Sequence, residues 1–230
     1  MRSFVYKIFL AAMTFASLFA LQTAEAQTVI SESFDAQTTN FAPPTGWTAA
    51  PTGSSISMWT RQTAGTSPTC TPHSGAGMLR CSPRNLNTGI TQALATPMFD
   101  LSGAGASVAH VSFWVYRDTV NSNINDTVSV YYNTIRDTIG ATLLGSVSRY
   151  GLLALPDTHR VAGWYQYTFT MPASVSDTNY IIFRGFVRNG GNQAYRTYID
   201  DVSWETYPGA CSGVPTVGRA SSPDTILCGG

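Results

Sequence analysis

Charged side chains are scarce in this sequence. Asp, Glu, Lys and Arg make up 11% of its 230 residues, less than half of the roughly 25% that is usual in globular domains. Positive and negative charges also balance, so the formal net charge is zero. A protein that holds nucleic acid through phosphate contacts needs a basic surface. The composition therefore argues against a nucleic-acid partner.

Long apolar runs are lacking after the first 26 residues. Within residues 1–26, Arg2 and Lys7 precede an apolar stretch from Ile8 to Leu21, and the segment ends in Ala24-Glu25-Ala26. A basic start, an apolar middle and a small-residue exit are typical of a cleaved secretory signal peptide, and the uncharged run is short for a membrane anchor. We predict cleavage after Ala26 and a mature chain, secreted or at the cell surface, with no membrane span.

Cysteine is limited to Cys70, Cys81, Cys211 and Cys228. None of them belongs to a C-x-x-C motif or to a Cys/His cluster, which argues against a thiolate metal site. In an oxidising compartment, four cysteines indicate disulfides instead. Local pairing of Cys70 with Cys81 and of Cys211 with Cys228 is the simplest of the three possible connectivities.

Apolar residues at helical spacing are also missing. The chain instead alternates polar and apolar residues in short runs separated by Gly, Pro, Asn and Asp, a pattern that predicts strands and turns. Such a succession is typical of an all-β sandwich or barrel. We predict one domain over residues 27–207, with strands near residues 28–34, 57–61, 77–82, 108–117, 126–133, 141–147, 164–171, 180–188 and 195–205.

Residues 208–230 differ from the rest of the chain. They contain no strand pattern before Asp224–Leu227 and end in Gly229-Gly230. We interpret them as a linker followed by the truncated start of a further module. The sequence is accordingly interpreted as the N-terminal piece of a longer protein.

The last predicted strand of the domain, YRTYIDDVSWE, carries two adjacent carboxylates in its middle. Side chains alternate across a strand, which places Asp200 with Tyr198, Val202 and Trp204 on the apolar face and Asp201 on the opposite, solvated face. A buried ionised carboxylate without a partner is strongly unfavourable. The pattern therefore predicts a cation beside Asp200.

Two cations satisfy this prediction. Arg184, in the middle of the predicted strand YIIFRGFVR, would form an internal ion pair with Asp200. Alternatively, a structural Ca²⁺ ion, which takes about six to eight oxygen ligands, would be bound by Glu32 of the first strand together with Asp200 or Asp201. The second arrangement requires the first and last strands to be neighbours, as chain ends often are.

Motifs of catalysis are absent. The sequence has no G-x-S-x-G elbow, no H-E-x-x-H motif and no glycine-rich phosphate loop. Its three histidines, His73, His110 and His159, are interpreted as ordinary loop or strand residues. Asp200 and Asp201 point apart, which does not suit a glycosidase carboxylate pair. We predict that the chain is not an enzyme.

Aromatic residues, at 12% of the chain, are well represented. A stacked sugar would use some of them, although core packing is the favoured interpretation of any single one. Trp47, Trp59 and Trp204 are assigned to the core. The better candidates for an exposed face are Trp114, Tyr116, Tyr131, Tyr165, Tyr195, Arg188 and Arg196.

Ten segments follow one another along the chain in a fixed order: ESFD (32–35), PPTGWT (43–48), MWTR (58–61), PHSGAGMLRCS (72–82), LATPMFDLSG (94–103), VSFWVYRD (111–118), DTVSVYYNT (126–134), GWYQYTFTMP (163–172), YIIFRGFVRNGGN (180–192) and YIDDVSW (198–204). This ordered series resembles the cleaved-adhesin family of secreted and surface proteins of the Bacteroidetes group.

The resemblance implies a jelly roll, which is a two-sheet antiparallel β-sandwich, and a role in adhesion rather than catalysis. Members of the family often hold structural calcium, and the resemblance carries this site to Glu32, Asp200 and Asp201. The Cys70/Cys81 pair is not general in that family. The tail resembles the opening of an immunoglobulin-like or PKD-like module.

The function that follows is a non-enzymatic, calcium-stabilised module of a secreted or surface adhesin, which binds an extracellular host or matrix protein or a glycan. The alternative is a carbohydrate-binding module of a larger exported hydrolase or peptidase.

Overall fold

The computed structural model describes residues 27–39, 43–50, 58–83, 86–102, 108–119, 127–150, 159, 161–173, 176–187 and 195–207. No α-helix occurs in these ranges. Accordingly, the described residues include no helix that could span a membrane. The strands are β1 (Gln27–Glu32), β2 (Thr48–Ala49), β3 (Trp59–Gln62), β4 (Met78–Cys81), β5 (Thr91–Ala95), β6 (Val108–Arg117), β7 (Thr127–Asn133), β8 (Thr142–Ser148), β9 (Gly163–Thr170), β10 (Tyr180–Phe186) and β11 (Thr197–Tyr207).

The strands form two antiparallel sheets. The first has the order β3-β4-β11-β6-β9, with β1 also paired to β11, and the second has the order β2-β5-β10-β7-β8. Strand β1 pairs with β11 so that Glu32 lies opposite Val202. The predicted two-sheet antiparallel β-sandwich is confirmed, and the first and last strands are neighbours as expected.

The core between the sheets comes from the alternation that the sequence displays. In β6, the buried side chains Val111, Phe113 and Val115 point into the sandwich, while the intervening residues point outward. Trp47, Trp59 and Trp204 belong to the same buried cluster, which confirms their assignment to the core. Strand β6 lies between β11 and β9, so it is central, and its outward face becomes a platform for other groups.

A long connection covers part of that outward face. The covering loop, residues 63–77, joins β3 to β4 and encloses a small apolar cluster formed by Cys70, Met78 and Tyr198. The Tyr198 hydroxyl accepts a hydrogen bond from the Thr66 N–H and donates one to the Thr66 carbonyl. The first sheet is therefore buried on both faces where this loop lies.

Several predictions fall on residues outside the described ranges. They include the signal peptide at residues 1–26, the linker and truncated module at residues 208–230, and Cys211, Cys228 and Arg188. The domain boundaries and the Cys211–Cys228 pairing stay predictions.

Candidate binding site at the Asp200–Asp201 bulge

A β-bulge interrupts β11 at the two aspartates. Asp200 lies opposite Trp114 of β6 and Ser203 lies opposite Ser112, so two residues of β11 face one residue of β6. Asp201 takes the left-handed conformation, with φ of 44°, which Asp tolerates better than most residues. An extra residue in a strand reverses the face of the side chains that follow it.

Because of the bulge, Asp200 does not share a face with Val202 and Trp204, and its predicted position on their face is wrong. Val202 and Trp204 point into the core between the sheets, as predicted, and Ile199 joins them. Tyr198 instead belongs to the cluster beneath the covering loop, and Asp200 shares its face. Asp200 is buried, with 0% of its surface exposed, but it is buried outside the sandwich, between the first sheet and the covering loop.

Backbone N–H groups surround the Asp200 carboxylate. Its Oδ2 atom accepts hydrogen bonds from the His73 N–H at 2.8 Å and the Ser74 N–H at 3.3 Å, and its Oδ1 atom accepts one from the Asp201 N–H at 2.8 Å. Burial raises the pKa of Asp200 to about 7, and the nearby Asp201 charge adds to this rise, while the three N–H donors oppose it.

The predicted Arg184–Asp200 ion pair does not form. Arg184 lies on β10 of the second sheet, where it shares the outward face of Ile182, and its guanidinium donates to the Tyr131 hydroxyl at 3.3 Å. Its strand neighbour Phe183 is the one that points into the main core. The two charged groups are therefore on different sheets and on faces that point away from each other.

Asp201 fixes the covering loop from the solvent side. Its Oδ1 atom accepts a hydrogen bond from the Ser74 hydroxyl at 2.6 Å, and its Oδ2 atom lies 2.6 Å from Nδ1 of His73. The His73 ring stacks on the Trp114 indole, with ring centroids 3.8 Å apart and planes 17° apart. Asp201 is thus half-buried and bonded rather than simply solvated, because the bulge turns it toward the loop.

The end of β1 meets the same loop. The Glu32 carboxylate accepts the Phe34 N–H at 2.6 Å, which closes a tight turn in which Phe34 has φ of 60°. Asp35 then accepts the N–H groups of Ala76 and Gly77 at 2.5 and 2.8 Å. These bonds, that to Ala76 above all, lower the pKa of Asp35.

Small residues are required where the loop meets β1. Gly75 has φ of 54°, and a Cβ atom there would overlap the Asp35 carboxylate. A Cβ atom on Gly77 would overlap the Phe34 carbonyl. The HSGAG segment (73–77) can therefore close on the end of β1 only because these two positions lack side chains.

Arg61 supplies a positive charge at this junction. The side chain is buried, with 3% of its surface exposed. Its Nε donates to the Phe34 carbonyl at 2.7 Å and its Nη2 donates to the Ala76 carbonyl at 3.1 Å. One guanidinium therefore joins the end of β1 to the covering loop.

The three predicted calcium ligands are brought to one corner but do not form a shared cage. Glu32 and Asp201 line the same pocket, whereas the Asp200 oxygens face N–H donors. Within the described ranges, no group of three or more His, Cys, Asp or Glu side chains is arranged to hold a metal ion. The three residues as placed therefore do not fit one Ca²⁺ ion, and calcium stays a prediction for chelation to test.

A pocket of about 320 Å³ opens beside the bulge on the outward face of the first sheet. Its lining crosses four neighbouring strands, from β9 through β6 and β11 to β1. Trp114 forms its aromatic part, and Gln166 lies directly opposite Trp114 on β9. The side chains that complete its polar part include Ser31, Glu32, Asp201 and Ser203.

The predicted Cys70–Cys81 disulfide is not formed. Cys70 is buried beneath the covering loop, in the cluster with Met78 and Tyr198. Cys81 lies at the end of β4 and points into the core between the sheets. The two thiols are on opposite faces of the first sheet, so no disulfide can join them.

The other aromatic and arginine candidates are distributed over several surfaces. Trp114 and Tyr116 lie on the outward face of β6, as proposed from the sequence. Tyr131 lies on the second sheet beside Arg184, and the Tyr165 ring stacks against His159. The Arg149 guanidinium lies over the Tyr195 ring. Arg196 donates a hydrogen bond to the Thr66 hydroxyl at 2.7 Å.

Sequence reasoning missed the part that His73 plays. It was interpreted as an ordinary loop histidine, but it contacts Asp201, Trp114 and, through an edge-to-face contact of 5.9 Å between ring centroids, Trp164. The one available signal was the glycine-rich HSGAG segment, which indicates a tightly folded loop but not the strand on which the loop lies.

The fold is that of the cleaved adhesin domains of Lys-gingipain from Porphyromonas gingivalis. The K1 domain is 20% identical with a TM-score of 0.53, and the match covers 77% of this chain and 97% of that domain. The K3 domain is 20% identical with a TM-score of 0.52, over 79% and 99% of the two chains, and the K2 domain is 15% identical with a TM-score of 0.51, over 76% and 98%. No protein-family model and no curated protein matches the sequence.

Proposed function

We propose that this domain is a non-enzymatic binding module of a secreted or cell-surface protein, and that it recognises an extracellular protein or a glycan. The observation that carries the proposal is the fixed polar pocket with an aromatic wall, built where the covering loop is bonded to the bulge in β11. The likeness to cleaved adhesin domains in fold supports it.

The hydrogen bonds among these residues do not suit a catalytic triad. Ser74, His73 and Asp201 come together, but the serine hydroxyl and the imidazole both bond to the carboxylate. In a nucleophilic relay, the imidazole bonds to the hydroxyl that it deprotonates, and the carboxylate bonds to the far side of the imidazole. The order found here instead suits a structural clamp on the loop.

Binding is tested by exposing the purified chain to an array of glycans and to a panel of extracellular matrix proteins. We expect saturable binding to members of one of these sets. Binding to proteins alone favours the adhesin assignment, and binding to a defined polysaccharide favours the carbohydrate-binding module. Hydrolysis of a generic ester, peptide or glycoside panel that is lost in Ser74→Ala would contradict the proposal.

Calcium stabilisation is a separate hypothesis. What supports it is the resemblance of the sequence to a family that often holds structural calcium and the convergence of Glu32 and Asp201 on one pocket. The proposed binding function does not depend on it.

A further inference from the structure

We propose that the pocket beside the bulge binds a neutral glycan, with a sugar ring seated against Trp114 and sugar hydroxyls bonded to Gln166, Ser203 and Asp201. The inference rests on the proposed function, since it names the ligand class and the site of that module.

The chemistry of the lining matches a sugar. A pyranose presents an apolar face of C–H groups, which packs on an aromatic ring, and a rim of hydroxyls that both donate and accept hydrogen bonds. The described lining includes the Trp114 indole, the Gln166 amide, serine hydroxyls and two carboxylates. Its volume of about 320 Å³ lies at the lower end of the range of about 300–1,000 Å³ for small-molecule sites.

The position of the lining suits a chain of sugars. Trp114 and Gln166 are directly opposite each other on β6 and β9, and the remaining groups continue the row across β11 to β1. With neighbouring strands about 4.8 Å apart, four strands give a row roughly 14 Å long. The row runs across the strands on the outward face of the first sheet.

The aromatic wall is held in place before any ligand arrives. His73 covers one side of the Trp114 indole at 3.8 Å between ring centroids, and Asp201 holds His73 at 2.6 Å. A side chain that is already immobilised loses little conformational entropy on binding. The covering loop therefore explains why this indole, among the outward-facing aromatics, is suited to be a platform.

Charge disfavours an anionic ligand. Among the residues that the structure describes, the pocket lining contains no Lys or Arg, and the carboxylates of Glu32 and Asp201 repel sulfated or uronic acid sugars. Both carboxylates already accept hydrogen bonds, from Phe34, Ser74 and His73. Their remaining lone pairs can accept further hydrogen bonds from sugar hydroxyls.

The experiment is calorimetric titration of the purified full chain with neutral hexasaccharides of glucose, xylose, galactose and mannose, chosen after the glycan array. We expect one class to bind and to quench or shift tryptophan fluorescence. Trp114→Ala should weaken binding about tenfold or more, and Gln166→Ala, at an exposed position that leaves the fold intact, should weaken it about threefold to tenfold. The matched control is Thr168→Ala, on the same face of β9 but outside the pocket lining, which should bind like the wild type.

Each outcome has a distinct meaning. Glycan binding that survives both Trp114→Ala and Gln166→Ala overturns this inference but leaves the proposed module intact. Binding to proteins without binding to any glycan also overturns this inference and also leaves the proposed module intact. Failure with every glycan and protein overturns the inference and the proposed function together. A rise in melting midpoint with Ca²⁺ that Glu32→Gln abolishes, without sugar binding, identifies the pocket as a metal site and also overturns the inference.

Discussion

The Asp200 carboxylate joins the bulge in β11 to the covering loop, because it accepts hydrogen bonds from three backbone N–H groups. Removing it in Asp200→Ala would leave those N–H groups buried without a partner. We expect a loss of about 2–4 kcal/mol in the free energy of unfolding, measured by urea denaturation. The control Asp177→Ala, at an exposed aspartate, should change stability by less than about 0.5 kcal/mol. Equal stability of Asp200→Ala and the wild type would show that the loop is held by other groups.

Cys70 illustrates how burial controls a thiol. Burial raises its pKa to about 12, so almost no reactive thiolate exists at pH 8, and Cys81 is buried in the core. We expect iodoacetamide at pH 8 to leave both residues unmodified in the folded protein and to modify both in denaturant, as measured by peptide mass spectrometry. A Cys70–Cys81 linked peptide in the non-reduced digest, or rapid labelling of the native protein, would contradict the geometry.

At the scale of elements, the covering loop is attached to the end of β1 by Asp35, which accepts the N–H groups of Ala76 and Gly77. Its pKa is lowered in the folded protein, so its stabilising effect is present above the ordinary carboxyl pKa of about 4 and is lost as pH falls through the lower, folded pKa. We expect the gap in melting midpoint between the wild type and Asp35→Asn to narrow between pH 6 and pH 3. A gap that stays constant across this window would mean that the Asp35 charge does not contribute.

Arg61 attaches the same two elements from the buried side. Its guanidinium donates to the Phe34 and Ala76 carbonyls, and Arg61→Met keeps most of the side-chain volume while removing both bonds. We expect a loss of about 2–4 kcal/mol in unfolding free energy. Arg136→Met, at an exposed hairpin position, is the matched control. Unchanged stability in Arg61→Met would mean that this junction does not need a cation.

Nine of the eleven described strands correspond to predicted ones, whereas β2, β5, the strand pairings other than that of β1 with β11, and the site were not predicted. The predicted alternation in β6 is matched by its buried Val111, Phe113 and Val115, and the assignment of Trp59 and Trp204 to the core is correct. Strict alternation does not predict the bulge at Asp201, because one extra residue reverses the faces of the side chains that follow it. Its stabilisation comes from the covering loop, more than 120 residues away in sequence. Local patterns carry no signal for such a contact, nor for the position of Cys70 beneath the loop and of Cys81 on the other face of the first sheet.

At the scale of the whole molecule, the question is whether protein groups alone join the first strand, the last strand and the covering loop. Asp200 and Asp201 bond to N–H, hydroxyl and imidazole donors, and Arg61 supplies a cation at the neighbouring carbonyls. A ligand that binds only the folded state raises its stability, so a structural calcium ion would make the melting midpoint depend on chelation. If protein groups alone join these elements, the midpoint in EDTA and in millimolar Ca²⁺ will agree within about 1 °C. A clear drop in EDTA that Ca²⁺ restores, and that is absent in Glu32→Gln, would instead establish calcium at this corner, in agreement with the expectation from the sequence.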